Sequence, residues 1–197
     1  MRSSLRSQLR ATRRLLTPQQ QYKATAAVCR LLACDARFRL ARHIALYLAN
    51  DGEVNLLPLL NYPLASIKTP YLPLLSDVLR PWEPTRLLFQ ACDPRHELLT
   101  KNHYGIAEPV YDPTRLLPAA MLNLVLLPLV GFDARGNRLG MGKGYYDRTF
   151  AQTGRAWHQP VLLGVAHSCQ EVDKLPAASW DVPLDGLVTE RELVWFS

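Results

Sequence analysis

The segment that most narrows the folds open to this chain runs from Leu122 to Gln152. Leu122 to Val130 is apolar except for Asn123 and Pro128. A short apolar run bounded by turn residues reads as a buried strand, and this one is far too short to cross a bilayer. It leads into a glycine-rich loop, Gly131 to Gly144, and then into a helical segment, Tyr145 to Gln152. Strand, loop and helix in direct succession form the half-unit of an α/β sheet.

The remaining segments agree with that class. Residues 2–16 read as a helix with Leu5, Leu9 and Leu16 along one side. Thr17-Pro18-Gln19-Gln20 has the residues of a helix start: Thr17 as N-cap, Pro18 in the first helical position and Gln20 closing a capping box. This second helix is expected to run to Cys34. Strands are expected at His43–Leu48, Ile67–Leu72, Arg86–Ala91, Leu122–Leu127, Val161–Val165 and Gly186–Thr189, with a turn at Asn50-Asp51-Gly52 and a short helix near Leu56. Pro70 and Pro128 confine their strands to ends, edges or bulges at those points. Asp93 to Pro118 reads as loop. Strands interleaved with helices argue for an α/β fold with a mostly parallel sheet, and 197 residues suit one domain.

Arg138-Leu-Gly-Met-Gly-Lys-Gly-Tyr-Tyr-Asp147 carries the chemistry. Gly140, Gly142 and Gly144 remove side chains at alternate positions, so backbone N–H groups can approach an anion, and the following helix start favours negative charge. Arg138 offers a planar fork and Lys143 a point charge to phosphate oxygens. Asp147 is a hard oxygen donor suited to magnesium. This is not a Walker A loop, because Asn137 stands where that motif needs glycine and Gly144 where it needs Ser or Thr. Nor is it G-x-G-x-x-G, since Tyr145 takes the last position. The alternative is a surface loop whose glycines only satisfy turns.

With the preceding Pro128-Leu-Val-Gly-Phe132-Asp133, this decapeptide resembles the signature of the 5-formyltetrahydrofolate cyclo-ligase family, approximately P-x-x-x-F-D, a short gap, then R-L-G-x-G-x-G-Y-Y-D. Leu48-Ala-Asn-Asp-Gly-Glu53, Tyr104-Gly-Ile-Ala-Glu108-Pro109, and Trp180-Asp181-Val-Pro-Leu-Asp185 with Val188-Thr189 are similar to further family segments, in order along nearly the whole chain. The resemblance implies a three-layer α/β/α single domain over residues 1–197, Rossmann-like, with a mainly parallel open sheet. It implies ATP-dependent cyclisation of 5-formyltetrahydrofolate to 5,10-methenyltetrahydrofolate in one-carbon metabolism, with ADP and phosphate released and Mg2+ required.

Residue by residue, the resemblance places Arg2-Ser3-Ser4-Leu5-Arg6 at ATP. Arg2 stands where the family usually has lysine. It places Arg138, Leu139, Gly140, Met141, Gly142, Lys143, Gly144, Tyr145 and Tyr146 around the triphosphate, with Arg138 and Lys143 catalytic. Leu48, Glu53 and the Met141–Tyr145 stretch (with Gly142, Lys143 and Gly144) would face the folate. Glu53 would bind the pterin amino and ring N–H groups, or else serve only as a turn acid. Asp147 and Asp181 would hold the metal, with Asp185 close to Asp181 in a similar context. Glu108 has no assigned role, and His167 is either near the nucleotide or structural.

Composition sets the remaining bounds. The net charge is +6, and ten basic residues between Arg2 and Arg42 face the single acid Asp35. Such an end attracts anions or is simply a solvated helix face. Its Arg- and Ser-rich, acid-poor character is also that of a mitochondrial transit peptide; the match of Arg2 and Arg6 to the ATP motif argues for mature enzyme. Cys29, Cys34, Cys92 and Cys169 form no C-x-x-C pair and have no zinc-spaced histidines, which suits a reducing cytosol. A cytoplasmic monomer acting on small molecules, with no nucleic-acid or membrane partner, is expected. An RNA-binding module would want aromatics among its basic residues, and only Tyr22 and Phe38 occur there. A sugar-phosphate isomerase would need a positioned acid or base but no nucleotide.

Overall fold

The structure, a computed structural model, describes residues 2–76, 82, 85–151, 159–176 and 178–196. Its α-helices are α1 (Arg2–Arg14), α2 (Pro18–Cys34), α3 (Ala36–Leu40) and α4 (Tyr145–Phe150). Its strands are β1 (His43–Ala45), β2 (Thr69–Leu75), β3 (Leu87–Ala91), β4 (Leu99–Lys101), β5 (Ala107–Pro109), β6 (Leu116–Leu117), β7 (Leu124–Pro128), β8 (Gly131–Phe132), β9 (Arg138–Leu139), β10 (Val161–Val165), β11 (Gly186–Val188) and β12 (Leu193–Trp195).

Eight of these form one sheet in the order β12-β11-β10-β7-β1-β2-β3-β6. The run β11-β10-β7-β1-β2 is parallel, and β12, β3 and β6 add antiparallel margins. Successive β7 side chains alternate between faces. Leu124 and Leu126 pack with Val28, Cys29 and Leu32 of α2 and Phe38 of α3. Val125 and Leu127 pack with Phe150 of α4. Helices therefore cover both faces, as an α/β/α arrangement with a mainly parallel sheet requires. Each fully buried leucine contributes about 2 kcal/mol.

The second helix starts as its residues dictate. The Thr17 hydroxyl accepts from the Gln20 amide at 3.2 Å, the Gln20 side chain accepts from the Thr17 amide at 2.8 Å, and Pro18 occupies the first turn. The first helix differs from expectation at its end. It stops at Arg14, so Leu16 lies outside it, and the buried face continues from Leu5 and Leu9 to Arg13.

Other differences come from short elements. β1 spans three residues; the Leu46 amide still bonds the Tyr71 carbonyl of β2 at 2.9 Å, and Tyr47 and Leu48 then line a cleft. The stretch read as loop from Asp93 to Pro118 holds the β4–β5 hairpin and the sheet-edge strand β6. The glycine-rich loop contains the β8–β9 hairpin, and β12 closes the far edge. The short helix near Leu56 is a 3-10 turn at Leu57–Asn61. The expected last residue of the helix after the loop, Gln152, lies outside the described residues, and α4 ends at Phe150. Pro70 and Pro128 sit near strand ends, as expected.

The β8–β9 turn is organised by Asp133, which is fully buried. Its carboxylate accepts from the Arg135 and Asn137 amides, the Asn137 side chain and the Leu175 amide at 2.9–3.1 Å. Burial opposes its ionisation, but these bonds outweigh burial and hold its pKa below the ordinary aspartate value. Asp133→Ala orphans several buried donors, and we expect it to lower unfolding stability by about 3 kcal/mol, read from urea midpoints. Because the folded pKa is depressed, this stabilisation is complete at neutral pH. In wild type it disappears as pH falls below about 4, through the folded pKa; the Asp133→Ala variant should lack that component of acid sensitivity.

Candidate active site

β1 continues into β2 on one side of the sheet, whereas β7 pairs on its other side. Ligands bind where strand order reverses, at the carboxyl ends of parallel strands. A cavity of roughly 790 Å3 opens there. Tyr47 and Leu48 after β1, Leu72 to Leu75 of β2, and Pro128 and Leu129 at the end of β7 form its floor. The amino-terminal part of α1, the loop from Arg138 to Asp147, and the β4–β5 hairpin form its walls. The volume suits a ligand of drug or cofactor size.

One side is cationic. Arg6 donates from Nε to the Gly140 carbonyl at 2.8 Å, and its guanidinium lies against Gly142. Gly142 has φ 93°, and a Cβ there would stand 3.2 Å from the Arg6 guanidinium carbon. Glycine is therefore needed for the backbone, and a Cβ would crowd the guanidinium. Arg138 is buried and donates to Asp147 Oδ1 at 2.6 Å, while Arg2 pairs with Asp181. Among the described residues the buried Nε–H groups of Arg2 and Arg138 have no hydrogen-bond partner. Such orphaned charged donors are costly unless an anion meets them. Lys143 is exposed, with Nζ 5.3 Å from the centre of the Tyr104 ring. The helix behind the loop has only six residues, so the local cations outweigh its dipole.

Asp147 accepts from Arg138 and from the Val182 amide, both at Oδ1. Asp181 accepts from Arg2 and from the Ala178 amide, both at Oδ2. Each carboxylate thus keeps an oxygen outside these bonds. Among the described residues no three His, Cys, Asp or Glu side chains cluster as a metal cage. The donor set fits magnesium, which binds through one or two carboxylates and takes its other ligands from phosphates and water.

The other side is aromatic and contains one buried acid. Glu53 accepts from the Asn50 amide at 3.1 Å and lies 3.7 Å from Arg13. Burial raises its pKa to about 7; the Asn50 hydrogen bond and Arg13 oppose the rise, and Asp51 adds to it. Burial likewise pushes the Tyr146 and Tyr47 phenols up, with Glu53 adding to both. Tyr145 bonds through its hydroxyl to that of Tyr104 at 2.7 Å, joining the hairpin tip to the loop.

The structure gathers most residues singled out from the sequence into this cavity: Arg2, Arg6, Leu48, Glu53, Asp181 and every position from Arg138 to Asp147. It leaves three aside. Ser3 and Ser4 are exposed off the cavity, and Leu5 packs beside Leu9, Val130 and Leu139. Asp185 receives the Leu162 amide at 2.7 Å and braces the sheet, so Asp181 is the one at the cleft. His167 is buried and bonds the Gly52 carbonyl, a structural contact outside the cavity lining. Glu108 lines the cavity and accepts from Asn102 at 3.2 Å. Sequence reasoning missed Tyr104, Arg10 and Asp51 as site residues. Tyr104 begins the Tyr104–Pro109 stretch that resembles a family segment, but nothing local shows that a hairpin tip folds back onto the loop.

Tyr104→Phe removes the phenol–phenol bond and little else. Hydrogen exchange at residues 102–106 should rise several-fold while global stability stays within about 0.5 kcal/mol. Unchanged exchange would show that the hairpin is held by its backbone alone.

The model of the 5-formyltetrahydrofolate cyclo-ligase family matches residues 1–190. The chain is 39% identical over 187 residues to the 5-formyltetrahydrofolate cyclo-ligase of Escherichia coli (strain K12), covering 95% of this chain and 98% of that one. It is 38% identical over 183 residues to the Haemophilus influenzae protein of the same name, covering 93% and 94%. Among solved structures it resembles the 5,10-methenyltetrahydrofolate synthetase of Aquifex aeolicus, with a TM-score of 0.80 and 29% identity over 98% of this chain and 92% of that one. A cleft with an arginine-lined glycine loop on one wall and a buried carboxylate on the other thus sits on the fold of these relatives, and the chain belongs to the 5-formyltetrahydrofolate cyclo-ligase family.

Proposed function

We propose that this protein closes 5-formyltetrahydrofolate to 5,10-methenyltetrahydrofolate, with ATP converted to ADP and phosphate. The observation that carries the reading is the pair of buried, unpartnered guanidinium donors, Arg2 Nε and Arg138 Nε, in the cavity lined by the glycine loop. They are what a polyanion would satisfy, and the E. coli and H. influenzae relatives carry the name of this activity.

In the proposed reaction the N5-formyl oxygen forms a bond to the γ-phosphorus while the bond to the bridging oxygen of ADP breaks. N10 then attacks the formyl carbon and loses its proton. The carbon–oxygen bond breaks, and phosphate leaves. Phosphoryl transfer asks the protein for alignment and charge neutralisation, not a covalent side chain. Arg138, held by Asp147, and the exposed Lys143 supply charge at the γ-phosphate. Arg2 and Arg6 grip the remaining phosphates across Gly140 and Gly142. Asp147 and Asp181 would hold magnesium, which supplies further neutralisation of phosphate charge. Leu48, Tyr145 and Glu53 receive the folate, Glu53 through the paired N–H groups of the pterin.

A single catalytic domain working as a monomer on small molecules belongs to the same proposal. No helix among the described residues is long and apolar enough to cross a membrane. The four cysteines are free, which suits the cytoplasm proposed for it.

Purified protein with 5-formyltetrahydrofolate, ATP and magnesium should develop the methenyltetrahydrofolate absorbance, and omitting any one of the three should abolish it. Growth of the band without ATP, or its absence with folded protein, would overturn the proposal. Lys143→Ala and Asp147→Ala should each abolish turnover with the fold retained. Arg6→Ala should chiefly raise the KM for ATP, and a defect confined to folate would contradict its placement.

A further inference from the structure

Position 13 on α1 is where the Leu5–Leu9 stripe calls for an apolar residue, yet it holds an arginine that is 1% exposed. A guanidinium in such a place is retained at a cost unless every donor has a partner. Arg13 Nε donates to the Asp51 carbonyl at 2.9 Å, and Nη2 to the Asp51 carboxylate at 2.9 Å. Nη1 donates to the Leu129 carbonyl at 3.2 Å and stands 3.7 Å from Glu53 Oε1. One side chain therefore ties α1 to the turn after β1, to the end of β7, and to the buried acid of the cavity.

That turn does not hold itself. Asp51 and Gly52 are both left-handed, with φ 53° and 80°. An aspartate there costs about 1 kcal/mol. Three arginines of α1 offset this by converging on Asp51: Arg10 at 2.7 Å, Arg13, and Arg14. Burial of Asp51 works against its charge, and the Arg10 and Arg14 hydrogen bonds outweigh burial to lower its pKa. His167 Nε2–H donates to the Gly52 carbonyl at 3.1 Å; burial lowers the pKa of this imidazole, in keeping with a neutral donor. The amide of Glu53 closes the turn onto Asn50 at 3.1 Å.

We infer that Arg13 is a positioning residue for folate: by clamping the Asn50–Glu53 turn it aims the Glu53 carboxylate into the cavity. The inference rests on the catalytic reading above and deepens it. A carboxylate accepts two adjacent N–H donors of a pterin edge, whereas a carboxylic acid accepts poorly and presents a proton of its own. Arg13 and Arg10 of α1 favour the ionised form of Glu53. Asp51 of its own turn opposes it, and the phenols of Tyr47 after β1 and Tyr146 of α4 complete the charged and titratable surroundings. Burial has brought Glu53 to a pKa of about 7, so the loss of one cation changes its charge at neutral pH.

The test compares Arg13→Gln and Arg13→Lys with wild type. In Arg13→Gln the KM for 5-formyltetrahydrofolate should rise about tenfold, and the acid limb of its kcat/KM profile should move up by about one pH unit, with the KM for ATP unchanged. The limb moves up because removing a cation raises the pKa of an acid. Lysine keeps the charge but cannot span the Asp51 carbonyl, its carboxylate and the Leu129 carbonyl together. Arg13→Lys should therefore restore the position of the limb while the KM for folate stays high. A wild-type KM for folate in Arg13→Lys overturns the inference, as does a rise of both KM values together, which marks general loss of structure. Should Arg13→Gln fail to fold, Arg13→Lys carries the test alone by the same criteria. A carbon-13 titration of the Glu53 carboxyl needs no turnover. A Glu53 pKa unchanged in folded Arg13→Gln overturns the inference even if catalysis stands, and a raised pKa supports it even if the catalytic reading fails.

Discussion

The chain remains buried after β7 ends, and a buried backbone must find hydrogen-bond partners. Leu129, Val130, Gly131, Phe132 and Asp133 are all inaccessible to solvent or nearly so. The Leu129 carbonyl receives Gln170 Nε2 at 2.8 Å and Arg13, and the Val130 carbonyl receives Gln170 at 3.0 Å. The Val130 amide donates to the Leu139 carbonyl at 2.7 Å, which starts the β8–β9 pairing. Asp133 then satisfies the amides of the turn. These bonds bring Arg138 back to the cavity in a set position, and the glycine loop departs from there.

The two halves of the site are consequently held by different physics. The half proposed for the anion rests on a hairpin whose backbone is satisfied internally, and among the described residues Arg2 Nε and Arg138 Nε have no hydrogen-bond partner. Each of these arginines is oriented by one of the two carboxylates proposed to hold magnesium. Cation and acid therefore hold each other in place before any ligand arrives, which lessens the ordering a ligand must impose. The half proposed for the folate rests on a strained turn held by three arginines and a histidine. Both halves depend on α1, whose first turns supply Arg2 and Arg6 and whose last turn supplies Arg13 and Arg14. Of the ten basic residues at the front of the chain, the five on α1 line the cleft or hold Asp51, whereas Lys23, Arg30, Arg37, Arg39 and Arg42 are exposed.

Much of the architecture was legible because its signals are local. Thr17, Pro18 and Gln20 define a helix start through bonds made within four residues, and the apolar runs that became β7 and β10 are long enough to read without partners. β4, β6 and β12 were not legible. Each has two or three residues, too few to show a period, and each exists because a neighbouring strand offers unpaired backbone. Reading Leu16 instead of Arg13 on the buried face of α1 failed for a related reason. Pattern assigns a buried position to an apolar residue, and only the fold supplies the three carbonyl and carboxylate acceptors that let arginine occupy it.

By itself the sequence determined the strand–loop–helix unit, the α/β class, the cationic glycine loop and the likeness to one enzyme family. Those rest on contiguous residues, whose spacing survives without knowledge of the fold. Tertiary structure alone decided which acid near the carboxyl end reaches the cleft, placing Asp181 there and Asp185 under β10. It alone brought the Tyr104 tip onto Tyr145 and turned Arg13 and His167 toward one turn. The physical reason is that these contacts join residues tens to more than a hundred positions apart, and their energies arise only when the sheet has closed and water has been excluded.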